Sequence, residues 1–216
     1  MRLSLASAAL ALICSAVPAT AQTPPSSPKP ASSAEPASCE ARQAPLGGMG
    51  RAMVVAFTGP IFGARVCATV ANIAIDGFTA QIGDTPPPGA VVTAALTGGG
   101  AVTLPLEGAT LTGAGPYDVA PGGTLPAFGS DRSEAPRVVL AYAGQRVLVI
   151  ATTPVALLDL ARALRDHPGV FDADAIERAV VIASGPDAVL SLRTADGGLG
   201  TAAVTTPRML FLIKRG

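Results

Sequence analysis

The sequence has no tryptophan and two tyrosines, Tyr117 and Tyr142, so it offers no aromatic platform on which bases or sugar rings would stack. Charge is scarce as well: Asp, Glu, Lys and Arg make up 14% of the chain, and 15 basic residues balance 15 acidic ones. No basic field exists to displace phosphate counterions, which excludes nucleic acid as a partner. A single histidine, His167, has no ligand-spaced companions and belongs to no Ser/His/Asp pattern, so neither zinc nor a serine triad is expected. Asp166, Asp172 and Asp174 cluster at a helix boundary, where they read as capping residues rather than as the twelve-residue pattern of a calcium loop. No Gly-x4-Gly-Lys loop occurs, and the chain carries no expectation of a cofactor or a metal.

What is present begins with an export pattern. Arg2 supplies a positive start, Leu3 to Val17 an apolar run and Ala19-Thr20-Ala21 a small-residue cleavage site, so residues 1–21 are expected to be a signal peptide. The apolar stretch is short for a membrane span and Ser and Pro follow at once, so no stable membrane insertion is expected after cleavage. The expected destination is the periplasm or the exterior. Removing 21 residues from a 216-residue chain leaves 195, of which residues 22–38 hold five prolines and six Ser or Thr with almost no apolar bulk. Such a segment buries too little surface to offset its ordering entropy and is expected to be an extended linker. Residues 39–216, in a chain that is 49% hydrophobic, suffice for one domain. Two cysteines follow the signal, Cys39 and Cys67, and an even pair in an oxidising compartment reads as one disulfide.

From Arg51 the pattern is β-rich, with strands expected at 52–57, 64–75, 78–82, 90–96 and 101–106. Thr97-Gly98-Gly99-Gly100 reads as a hairpin turn, Pro86-Pro87-Pro88-Gly89 as a loop, and Gly113 to Gly129 as a long loop without an element of its own. Two further strands are expected at 137–142 and 146–151. Thr152-Thr153-Pro154 then opens a helix, with Thr153 as cap and Pro154 at the first position, and His167-Pro168-Gly169 ends it. Asp172 to Arg178 reads as a second, shorter helix. Ala179 to Ala183 is a wholly apolar strand of the kind buried on both faces. Ala195-Asp196-Gly197-Gly198 suits a hairpin turn. The fold class expected is α+β: a β-rich first half joined to a strand-strand-helix-helix-strand-hairpin unit, forming one mixed sheet covered by helices.

The apolar strand empties into Ser184-Gly185-Pro186-Asp187, at the carboxyl end where α/β sheets place ligands. The order of elements from Pro136 to Lys214, with the Thr-Pro helix and the Gly-Pro turn, resembles the phosphodiester glycosidase family, as a divergent member; that family includes the enzyme that uncovers mannose 6-phosphate by removing N-acetylglucosamine. Its apolar strand ends in Leu-Asp-Gly-Gly-Gly/Pro-Ser. The corresponding residues are Ile182 to Asp187, so the family's aspartate falls on Ala183, its first glycine on Ser184 and its serine on Asp187. The resemblance implies a sugar 1-phosphodiester or related glycan as ligand, bound by Arg137, Ser184, Gly185 and Asp187. It also implies impaired catalysis, because glycoside cleavage ordinarily needs two carboxyls across the scissile bond and the strand-end one is missing. Asp187 is the candidate replacement. If active, the chain is a glycoside hydrolase; the alternative is a non-catalytic structural or interaction domain of the cell envelope.

Overall fold

The computed structural model describes residues 39–97, 101–103, 110–112, 114–118, 133–195, 197–200, 204 and 208–216. The expected signal and linker, residues 1–38, lie outside that set. The chain divides into Met1–Glu35 and Pro36–Gly216, and every described residue belongs to the second unit.

The strands are β1 (Arg42–Pro45), β2 (Gly50–Thr58), β3 (Arg65–Ala74), β4 (Phe78–Gly83), β5 (Ala90–Ala95), β6 (Ala101–Thr103), β7 (Thr110–Thr112), β8 (Ala114–Asp118), β9 (Ala135–Ala143), β10 (Arg146–Val155), β11 (Arg178–Ser184), β12 (Leu190–Leu192), β13 (Leu199–Gly200) and β14 (Met209–Lys214); α1 spans Leu157–Asp166. A seven-stranded sheet runs β1-β2-β3-β10-β9-β11-β8 and a five-stranded sheet β13-β12-β5-β14-β4, while β6 and β7 pair by themselves. Every pairing among the described residues is antiparallel.

This overturns the expected α+β class: the described fold is mostly β, with two antiparallel sheets and one α-helix rather than one mixed sheet covered by helices. The error traces to one physical signal. A continuous apolar strand reports burial on both faces, and parallel sheets are its commonest source. Here an antiparallel sheet is covered on both sides. Val138, Leu140, Val147, Val149 and Val180 face Val92, Ala94, Leu210 and Leu212 of the smaller sheet, whereas Val139, Ala141, Leu148, Ile150 and Val181 face Leu160 and Leu164 of α1. The strand at 179–183 is fully buried, as expected of its composition, but stands sixth of seven, between β9 and the edge strand β8.

Two helix expectations also change. Thr152-Thr153-Pro154 continues β10, and α1 begins at Leu157. Thr153 caps nothing: its hydroxyl accepts the Cys67 N–H at 3.0 Å. Pro154, which lacks a ladder N–H, sits where the β9–β10 register shifts between Thr152 and Val155. The second helix is absent. A 3-10 turn at Pro168–Phe171 ends at Asp172, whose left-handed backbone (φ 60°, ψ 45°) breaks any helical continuation before β11 starts at Arg178.

Turns divide similarly. The turn expected at Thr97 to Gly100 lies, at residues 98–100, outside the described set; β5 lies between β12 and β14. β12 and β13 pair as a hairpin would, with Gly197 and Gly198 between them at φ 107° and 105°; Asp196 lies outside the described residues. Within Gly113 to Gly129, Ala114–Asp118 forms β8 along β11; the remainder lies outside the described residues.

Two long-range ties hold the larger sheet. Cys39 and Cys67 form the expected disulfide, with Cα atoms 5.4 Å apart, and fix the start of the domain to β3, an interior strand. At the β2–β3 turn, the buried Asp159 carboxylate of α1 accepts the Ile61 N–H at 2.8 Å and the Phe62 N–H at 3.1 Å. Gly59 is required beneath it, because a Cβ there would collide with that carboxylate. Asp159→Ala removes two charge-assisted bonds from a turn that water still reaches, so the expected loss is about 2 kcal/mol. Denaturant melts measure the loss, and faster hydrogen exchange at the Ile61 and Phe62 amides locates it.

Candidate functional site

The sequence pointed to the carboxyl end of β11, and three neighbouring strands place polar residues there in one row. Cross-strand register sets Arg137 of β9 opposite Thr152 of β10 on one side and Ser184 of β11 on the other. Side chains alternate along a strand, so Arg137 shares the α1-facing side with Val139 and Ala141, and Thr152 shares it with Leu148 and Ile150. Ser184 reaches the same side through a register shift between Val181 and Ala183, which turns both Ile182 and Ala183 into the core between the sheets.

The row is tightly made. Arg137 Nη1 donates to Ser184 Oγ at 2.6 Å and Nη2 to the Ser133 carbonyl at 3.2 Å. Arg137 is 7% exposed and Thr152 2%, whereas Ser184 is exposed. The Thr152 hydroxyl is buried and has no hydrogen-bond partner among the described residues. Gly185 follows at φ 80° and starts a 3-10 turn, Gly185–Asp187, closed by the Ala188 N–H on the Gly185 carbonyl at 3.0 Å. Only a residue tolerant of positive φ turns the chain here without strain. Asp187 sits exposed in that turn, and its carboxylate pairs with no described residue. Ala183 is fully buried.

Of the sequence candidates, then, Arg137 and Ser184 are brought into contact, Gly185 shapes the turn, and Asp187 stays apart from the guanidinium. Thr152 is the residue that sequence reasoning misses, because it reads as part of a helix start. The signal that finds it is the two-residue period Leu148, Ile150, Thr152, which continues β10 past Ala151.

A polar cleft of about 620 Å³ lies at the other end of the same sheet, lined by Arg51, Arg146, Asp172, Asp174 and Glu177 among others. Arg146 opens β10, six residues before Thr152, so the two ends stand about 20 Å apart. The buried groups of this cleft are satisfied. Fully buried Asn72 donates to the Asp172 carbonyl at 2.7 Å and carboxylate at 3.1 Å, Arg146 Nε and Nη2 donate to the Asn72 side chain and carbonyl, and Arg51 pairs with Asp172 at 2.6 Å. The network holds the β9–β10 turn to β2 and β3. The Asp166 region is also structural: Arg165 holds the exposed Asp166 carboxyl below the usual carboxylate range by a hydrogen bond, and His167 ends α1 through its N–H on the Ala163 carbonyl. Among the described residues no three His, Cys, Asp or Glu side chains gather in metal-binding range, and no helix is long and apolar enough to cross a membrane.

No protein-family profile matches the chain, and no curated protein matches it in sequence. Among solved structures, the zebrafish N-acetylglucosamine-1-phosphodiester alpha-N-acetylglucosaminidase catalytic domain, auto-inhibited by its pro-peptide, aligns over 82% of this chain and 88% of its own, with 8% identity and a TM-score of 0.45. That is a distant structural resemblance.

Proposed function

We propose that the protein is an exported, disulfide-bonded module of the cell envelope that binds a sugar 1-phosphodiester at the carboxyl end of β11 without hydrolysing it. One observation carries this reading: Arg137 and Ser184 meet at that strand end while the adjacent Ala183 is sealed into the core between the sheets. The ligand meets exposed Ser184, the Arg137 guanidinium bonded to it and the backbone N–H groups of Gly185 and Asp187. A guanidinium and hydroxyl at that point stabilise an anionic oxygen. Hydrolysis requires a second carboxyl across the scissile bond, and Asp187 stands alone in the turn.

Calorimetric titration with a methyl N-acetylglucosamine 1-phosphodiester tests the proposal. Saturable binding is expected, with affinity lowered about tenfold or more in Arg137→Lys, which keeps the charge and loses the planar fork. A second reading is favoured by the Ser133 carbonyl bond, which makes Arg137 a clamp between the start of β9 and the end of β11. On that reading the wild-type protein binds nothing and Arg137→Lys only lowers the melting temperature.

A further inference from the structure

We infer that Thr152 is a ligand-contacting residue, its hydroxyl donating to the same anionic oxygen that meets Arg137; this rests on the strand-end binding site proposed above. Thr152 is 2% exposed and its Oγ1 has no hydrogen-bond partner among the described residues. A buried hydroxyl without a partner is costly, and folded proteins keep few of them unless water, an ion or a ligand completes the bond. Thr152 stands directly opposite Arg137 in the β9–β10 ladder, and directly opposed side chains have Cβ atoms about 4.5 to 5.5 Å apart. A group that completes the Thr152 hydroxyl's bond from that row is an acceptor, and beside a fixed cation an anionic oxygen outcompetes a neutral one. Phosphate, phosphodiester and carboxylate share that chemistry.

The variants are Thr152→Val, which keeps the branched shape and deletes the hydroxyl, and Thr152→Ser, which keeps the hydroxyl; Thr152→Ala replaces the first should it not fold. The probes are the methyl N-acetylglucosamine 1-phosphodiester, inorganic phosphate and glucuronate, titrated separately. The expected result is a split. Thr152→Val melts at the same temperature as wild type or higher, since it loses an unsatisfied polar atom, yet binds about tenfold more weakly, while Thr152→Ser binds within a few-fold of wild type. A purely structural threonine does not produce a gain in stability with a loss in affinity. Phosphate or glucuronate binding that depends on Thr152, with no binding of the diester, supports the inference and defeats the sugar-phosphodiester reading. Unchanged affinity in Thr152→Val shows that a buried water completes the bond and overturns the inference, as does a wild-type protein that binds none of the three probes.

Discussion

Ala183→Asp is expected to unfold the domain rather than to confer glycosidase activity. Ala183 is fully buried, pairs with Val138 in the β9–β11 ladder and lies with Ile182 in the core between the two sheets. The Ile182 carbonyl is already taken by the Thr97 N–H at 2.8 Å, which joins β11 to the end of β5 at this level. A carboxylate placed there has no partner, and burying an unpaired polar or charged group costs several kcal/mol against a total stability of roughly 5 to 15 kcal/mol. The effect has a definite pH dependence. Burial raises the folded-state pKa of the introduced carboxyl above its unfolded value, so the variant's relative stability is retained below about pH 4 and is lost as pH rises. Thermal melts at acid and neutral pH measure this. Unchanged melting accompanied by sugar release would mean that the strand end opens onto a working site.

Removing the disulfide is the second large effect. Cys39 and Cys67 are 28 residues apart in sequence, and cross-linking a loop of that size stabilises a fold by roughly 3 to 4 kcal/mol on the chain-entropy model. The double variant Cys39→Ala with Cys67→Ala is expected to lose that amount in denaturant titration. Reduction of the wild-type protein should give the same loss. Mass spectrometry of exported material adds the compartment: a chain starting at Gln22 with no alkylatable thiol is expected. Two free thiols, or a melt indifferent to reductant, would contradict the assigned bridge.

Local signals in the sequence located most strands, because Val, Ile and Ala runs punctuated by Gly and Pro translate directly into pleated segments. The short edge strand β1, with Pro45 at its end, and β8, inside a Gly-rich stretch, carry too little apolar pattern to stand out. What the sequence concealed was which strands pair. The unbroken apolar run from Ala179 to Ala183 is equally consistent with a parallel sheet and with an antiparallel one covered twice, and the second cover, the smaller sheet, is assembled from β4, β5, β12, β13 and β14, which are far apart in the chain. The helix start failed for a related reason: Thr-Pro suits a first helical turn and a strand bulge alike, and pairing of β10 with β9 on one side and β3 on the other decided for the strand. At the site, Arg137 and Ser184 were recognisable by type and position. Their neighbour Thr152 was not, since its place in the row depends on register rather than on any motif.

Incubating the purified protein with the methyl N-acetylglucosamine 1-phosphodiester, while following bound ligand by calorimetry and free N-acetylglucosamine by chromatography, tests the central claim most directly. Saturable binding that weakens in Arg137→Lys, with no sugar released above the uncatalysed rate, is the predicted result. Release of free sugar by the unmodified protein would contradict it, and loss of that release in Asp187→Ala would make the exposed turn carboxylate the working group.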